Sequence, residues 1–442
     1  MTQKKRIIIL GAGISGLIAA WLIAKEKPEY ECLLLEKGER AGGHMETGNE
    51  YGVTLEKGPH IFKTSRNQDF LYLIEEVGFS SELIFSSKKA KKRYLWIDGK
   101  LQTILSATYK DLFKALLQEW KKPIVYEEET IWEFASRRFG KKIAERLFDP
   151  LVLGIYAGDS RKLSMDACFP SFKKLEKENG SLTKALFFSL LKKRSSSLKG
   201  LFSFKKGVSS FIEHLEKKIK FPILYGHEVH KIEKKGEKFH VFSKESSFEG
   251  DEVILALPAY VSASLIRPLQ EEVYTRLLKI PYQSITSVNV LLKGDILKYS
   301  GFGYLIPTEE QETLLGVLFD SSIFPEQDAI EHTKLTLMMR GSDFSEEEIR
   351  QVVDRCLTKH LGISYSPKEI VWKKMPEAIP QYILGHEDNV SAIRKILPQG
   401  VYLIGNYLEG VSVNDAVKVA RSCISLVLET SVSIVPKERD MW

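Results

Sequence analysis

The stretch RIIILGAGISGLIAAWLIAKE, residues 6–26, restricts the fold more than any other part of the chain. Its apolar run Ile7 to Leu10 reads as a strand buried on both faces, and the spacing Gly11-x-Gly13-x-x-Gly16 turns that strand into a helix. Gly11 permits the tight turn, Gly13 lets the backbone approach a pyrophosphate, and Gly16 lets helix and strand pack closely. Ala12, Ile14 and Ser15 complete the turn, where a helix N-terminus offers free N–H groups and the positive end of its dipole to an anion. A second strand, ECLLLEKG, ends at Glu36 and Lys37, where a carboxylate can reach ribose hydroxyls. A glycine fingerprint alone is weak evidence. Two strands, a helix and an acid in their places make it a dinucleotide site.

The chain has 442 residues, enough for two or three packed units. Its apolar share of 43% supports a real core, and its net charge of +6 is too evenly balanced to imply nucleic acid. Cys32, Cys168, Cys356 and Cys423 are scattered without a C-x-x-C pair, which suggests neither zinc nor a disulfide framework and fits a reducing compartment. No cleavable leader is read at the start, and no stretch approaches the ~20 apolar residues of a membrane span. The expectation is a cytoplasmic protein, or one attached to a membrane from one side.

After the ribose acid come Arg40 and a second glycine turn, Gly42-Gly43-His44, and then Glu56 and Gly58-Pro59-His60-Ile61. A second close-approach turn beside the first suits a longer ligand, with a diphosphate and a ribityl chain. The pattern resembles the flavoprotein superfamily of amine oxidases, phytoene desaturases and protoporphyrinogen oxidases. That resemblance implies FAD, held by the first turn, by Glu36 and Lys37, by Arg40, Gly43 and His44, and by the Gly58–Ile61 turn. It also implies that the backbone at Val229 meets the adenine. Gly405, Asn406, Val411, Ser412 and Val413 would then close over the ribityl chain and flavin ring. Many members carry Arg or Lys at the position of His44, and many place Arg where His60 stands.

Three long, irregular stretches narrow the resemblance to the protoporphyrinogen oxidases: LGIYAGDSRKLSMDACFPSFKKLEKENGSL (153–182), SGFGYLIPTEEQETLLGVLFDSSIFPEQ (300–327) and AIPQYILGH (378–386). It implies that Phe302 offers a π-surface to a flat tetrapyrrole, with Gly301 and Gly303 leaving room for the macrocycle. Leu305 shares a strand face with Gly303 by period two. Met338 or Met339 would supply an adaptable wall, Gly154 would line the cavity, and Arg93 would grip a propionate with its planar fork. The reaction implied is FAD-dependent oxidation of protoporphyrinogen IX to protoporphyrin IX, with dioxygen or a quinone as final acceptor. Three alternatives stand beside it: a coproporphyrinogen III oxidase, a flavin amine oxidase, and a non-enzymatic tetrapyrrole-binding flavoprotein.

Between Asn179 and Ile212 lie Lys184, Lys192, Lys193, Arg194, Lys199, Lys205 and Lys206 but no acid, interleaved with ALFFSLL and LKGLFSF; LFKALLQEWKKP is similar in kind. Such segments suit an anionic membrane interface. With the resemblance, they suggest peripheral attachment to the inner membrane of a bacterial cell. Ferrochelatase or a second copy of the chain are possible partners. The expected build is α/β (α+β). A Rossmann-like FAD-binding domain would comprise 1–85, 207–265 and 395–442, a mixed-sheet substrate domain 86–105 and 266–394, and a helical membrane-binding domain 106–206.

Overall fold

The computed structural model describes residues 4–50, 52–185, 200–244, 246–327 and 332–429. The strand Arg6–Leu10 is buried from Ile7 onward and sits at the centre of a parallel sheet of five strands. Their order is Ile223–Leu224, Glu31–Leu35, Arg6–Leu10, Glu252–Leu255 and Val401–Leu403. Strands covered on both faces read as unbroken apolar runs, as IIIL, CLLL and VIL do here. The helix Ile14–Glu26 is buried continuously from Gly16 to Ile23, so it is enclosed rather than laid on the surface.

The second sheet has seven strands, in the order Glu369–Pro380, Tyr282–Lys293, His332–Arg340, Leu314–Leu318, Gly303–Leu305, Arg93–Ile97 and Lys100–Thr103. Adjacent strands are antiparallel except Gly303–Leu305 with Arg93–Ile97. Tyr94, Trp96, Val290, Tyr304, Val317, Leu337 and Met339 point into a core closed by the helix Glu346–Arg355. Period two sends their neighbours to the opposite face. The register there makes two rows: Leu95, Leu305, Gly316, Met338, Ser287 and Lys373, and beside it Arg93, Gly303, Leu318, Thr336, Asn289 and Val371.

Helices Ile104–Glu119, Ile131–Phe139, Asp149–Tyr156 and Pro170–Asn179 form a third unit around Ile131, Phe134, Val152, Tyr156 and Met165. Its interior holds charges that the sequence presents as ordinary surface residues. The fully buried Arg138 guanidinium pairs with Glu119 at 3.0 Å and with Glu176, and Lys173 meets Glu129 at 2.9 Å. Buried charges persist only when paired in this way.

The expected domain limits need two corrections. Leu201–Phe204 is not part of the helical unit. It pairs with Phe62–Lys63 and Leu83–Phe85, because Phe202 and Phe204 complete an aromatic cluster with Phe62, Phe70 and Phe211. Helices Glu271–Leu277 and His386–Ile396 pack into the core of the parallel sheet rather than with the mixed sheet. Of the basic, apolar segment, residues 186–199 lie outside the described residues. Among the described residues, no helix is long and apolar enough to cross a membrane.

Candidate functional site

At the end of the parallel sheet the glycines divide into two kinds. A Cβ on Gly16 would lie 2.0 Å from Gly11 O, and one on Gly11 (φ +97°) 2.6 Å from Ala256 O, so these two serve packing. A Cβ on Gly13 would meet nothing within 4 Å; this backbone opens onto space. Gly42 N donates to Ala12 O at 2.8 Å, and a Cβ on Gly43 would stand 3.4 Å from Gly13 Cα. A Cβ on Gly58 would lie 1.9 Å from His44 O. Gly13 and Gly43 therefore line a trough of nearly bare backbone, with His44 and Pro59 exposed, whereas Gly58, like Gly11 and Gly16, is bare because it packs on a neighbouring backbone.

The ends of the trough carry complementary chemistry. The helix Ile14–Glu26 has no side-chain cap and no acid in its first turn, so the N–H groups around Ile14 and Ser15 are free for an anion. Glu36 is fixed by Ala12 N on Oε2 and Gly38 N on Oε1, each at 2.8 Å, with lone pairs left for hydroxyls. His227 N donates to Glu36 O at 2.9 Å, which brings the start of Val229–Lys235 beside the acid, while Lys37 is exposed. On the other side, Ile404 N donates to Leu255 O at 3.0 Å, and Asn406 O accepts the Tyr382 hydroxyl, so Gly405 and Asn406 continue the sheet edge. Ser412 Oγ accepts from Asp415 N at 3.2 Å at the start of Val413–Glu429, and Val411 packs against the cluster containing Tyr382. An anion site at a helix N-terminus, a carboxylate for a ribose and a glycine wall for an extended chain fit a flavin dinucleotide.

Two side chains in the second turn do work within the protein. Arg40 folds back onto Ala41 O at 3.0 Å and Gly43 O at 2.9 Å and pairs with Glu46, so it shapes the turn. His44 is held toward its neutral form, first by desolvation and then by the cations Lys373 and Arg40.

Arg93 and Phe302 meet at the far end. The guanidinium Cζ lies 4.7 Å from the ring centroid, a cation–π contact. Among the described residues no acid pairs with Arg93, and desolvation lowers its pKa without removing its charge. Phe302 and Ile61 both pack against the cluster that contains Ile323 and Phe324, which joins Phe302 to the Gly58–Ile61 turn. Leu305 is held between two glycines: a Cβ on Gly154 would be 3.1 Å from Leu305 Cδ2, and one on Gly316 2.9 Å from it. Met338 lies opposite Gly316 and packs with Leu153, Ala157, Leu315 and Met375, whereas Met339 belongs to the opposite core.

The expected purpose of Gly301 and Gly303 is corrected. A Cβ on Gly301 would be 2.5 Å from Lys92 O, and one on Gly303 (φ +133°) 2.0 Å from Val317 O; both residues are buried. The bare backbone accommodates neighbouring strands, not a ligand. Sequence reading placed His60 in the cofactor turn but gave its side chain no partner. Its Nδ1 lies 2.9 Å from Gly58 O and its Nε2 3.0 Å from Asp320 Oδ1. Gly316 could have been found as a lone glycine in an apolar strand; Asp320 gave no signal.

A parallel nucleotide-binding sheet joined to a mixed sheet across such a trough defines a flavin-dependent oxidoreductase. The chain belongs to the flavin-containing amine oxidoreductase family, whose profile matches residues 14–423, and its cofactor is FAD. It is similar to the protoporphyrinogen oxidase of Homo sapiens, 29% identical over 471 residues, covering 96% of this chain and 99% of that one. Protoporphyrinogen oxidase 1, chloroplastic, of Arabidopsis thaliana is 27% identical, covering 97% of this chain and 87% of that one. A solved structure from Exiguobacterium sp. superposes with a TM-score of 0.87 at 23% identity, covering 97% and 99% of the two chains. Cyclohexylamine oxidase of Brevibacterium oxydans shares the fold, with a TM-score of 0.72 at 15% identity, covering 97% of this chain and all of that one.

Proposed function

We propose that this protein oxidises protoporphyrinogen IX to protoporphyrin IX, in the synthesis of haem or a related porphyrin. The observation that carries the reading is the unpaired Arg93 guanidinium stacked on Phe302, beside an apolar wall of Leu305, Met338 and the bare Gly154 backbone. A planar macrocycle with two carboxylate tails suits that arrangement: one tail meets the fork, with charge-assisted bonds, while the ring lies on Phe302 and Leu305. FAD supplies the acceptor for the hydrogens that leave the macrocycle's methylene bridges, with dioxygen as the final oxidant. Arg93 fixes the substrate's in-plane position, the apolar wall excludes water, and the Gly13–Gly43 trough and Glu36 hold the cofactor. No protein acid or base is assigned to the chemical step.

Lys63 gives the coproporphyrinogen alternative its one specific support. Desolvation, Arg66 and Arg93 together lower its pKa, so the mouth holds more positive charge than two tails require. Anaerobic mixing with each porphyrinogen tests both readings. Flavin absorbance should bleach with protoporphyrinogen and return in air with release of porphyrin. Bleaching only with coproporphyrinogen would select the alternative, and no bleaching with either would refute both.

Attachment to one face of a membrane is part of the proposal. Leu105, Tyr109, Phe113 and Leu117 recur every fourth residue along Ile104–Glu119 and are 68%, 53%, 67% and 58% exposed. Trp120 continues the stripe, and Lys110, Lys114, Lys121 and Lys122 flank it. An amphipathic face of this kind suits an anionic bilayer surface, here the cytoplasmic face of the inner membrane, where a poorly soluble porphyrinogen could be passed onward to a ferrochelatase. A homodimer is compatible with this arrangement. Flotation with anionic vesicles tests it: replacing Phe113 and Leu117 by serine should release the protein, and unchanged flotation would contradict the attachment.

A further inference from the structure

His60 is buried, 6% exposed, in the turn that ends the glycine trough. Both ring nitrogens face oxygen acceptors, Gly58 O at 2.9 Å and the Asp320 carboxylate at 3.0 Å. A neutral imidazole has one N–H and would turn a lone pair toward one of these oxygens; a ring carrying both hydrogens satisfies each. Asp320 is held in turn by Thr336 Oγ1 at 2.8 Å, and Asn289 Nδ2 donates to Glu56 O at 3.0 Å. Asp320 follows the strand Leu314–Leu318, whose Leu318 is the register partner of Gly303. The pair thus ties the Gly58–Ile61 turn to the segment that carries Phe302.

We propose that His60 is a positioning residue that works as an imidazolium, joining the flavin-lining turn to the substrate-side sheet through Asp320 and keeping this buried site electrically neutral, so that loss of its proton makes reduction of the flavin harder. The inference rests on the FAD assignment and not on the choice of porphyrinogen. The charged groups facing the ring are Asp320 and Glu56, with Lys334 acting on Asp320 from the neighbouring strand; the Lys334 ammonium itself donates to Thr54 O and Gln327 Oε1. Desolvation opposes the charged ring, but Asp320, Glu56 and Gly58 O outweigh it and raise the pKa above 6.5. Asp320 moves the other way: desolvation is exceeded by His60, Lys334 and Thr336, and its pKa falls below 3.8. The pair is therefore present below pH 6.5 and is lost as pH climbs through the raised value of the ring. Above it, Asp320 remains a buried anion that keeps Thr336 and Lys334 but has lost the His60 cation.

The test compares the FAD-loaded wild type with His60→Gln and His60→Arg, reading the flavin midpoint potential against pH and flavin content by absorbance. The wild type should show an added fall in potential as the ring deprotonates. His60→Gln should lie lower at neutral pH, by about 30 mV for each tenfold fall in the equilibrium constant of two-electron reduction, and without the inflection. His60→Arg should restore the potential and also lack the inflection. Equal potentials and inflections in all three proteins would overturn the proposal. Nitrogen chemical shifts of His60 in the wild type decide the matter even if a variant does not fold. Two protonated nitrogens well below pH 6.5 support the proposal, and one bare nitrogen there refutes it. Wild-type protein that binds no flavin would refute the cofactor instead, while leaving the imidazole spectrum informative about the pair.

Discussion

Gly303→Ala should unfold the substrate sheet locally. With φ at +133°, the new Cβ would lie 2.0 Å from Val317 O and 3.0 Å from Leu318 Cα. Real Cβ atoms essentially never approach closer than 3.0 Å, so the two strands must part by about 1 Å. That movement disrupts the ladder in which Gly303 faces Leu318 and Tyr304 faces Val317. A lost ladder bond costs about 0.5–1.5 kcal/mol, overpacking about 1–3 kcal/mol and the positive φ about 1–2 kcal/mol. Together they come to about 2.5–6.5 kcal/mol, a large part of the ~5–15 kcal/mol that stabilises a protein. Urea unfolding followed by circular dichroism and by flavin release measures the change. Gly78→Ala is the control, because at φ +75° its Cβ would meet nothing within 4 Å and the cost should stay near ~1–2 kcal/mol. A Gly303→Ala protein within about 1 kcal/mol of the wild type would refute the claim that strand packing, not ligand clearance, demands this glycine.

Gly154→Val should cost about 1–3 kcal/mol of stability and raise KM about tenfold or more, since the added methyls push on the Leu305 side chain; urea unfolding and steady-state kinetics on the proposed substrate would read the two effects. Arg93→Ala should raise KM by about 10–100-fold with kcat little altered, the loss of a charge-assisted bond of ~1.5–3 kcal/mol, and Arg93→Lys should recover part of it. Arg138→Met leaves Glu119 and Glu176 buried without their shared cation. A loss of about 3–5 kcal/mol on urea unfolding is expected, with turnover per folded molecule unchanged.

The cofactor trough is legible in the chain because close backbone approach excludes side chains, and an excluded side chain is written as glycine. Glycine does not say what approaches. At Gly13 it is open space, while at Gly303 it is the next strand, and the letters are identical. Arg93 and Phe302 could be paired from the resemblance alone; what brings them together is a parallel register between strands distant in sequence. Asp320 lies 260 positions from its partner His60, and no local pattern announces a contact of that kind. Arg138, Lys173, Glu119 and Glu176 are hidden for a different reason. Period and composition assign such residues to water, and only the packed helices show that they satisfy one another inside.

The central strand of the parallel sheet is made first and finished last. Arg6–Leu10 emerges early from the ribosome, yet its neighbour Glu252–Leu255 and the edge strand Val401–Leu403 follow only after most of the polypeptide has been translated. Until then its apolar faces have no permanent cover, and the helix Ile14–Glu26 must wait for Val413–Glu429 to dock against it. Such distant pairings fold slowly. The nascent chain should therefore depend on chaperone shelter until Val413–Glu429 has been made, and capture its coenzyme only after that.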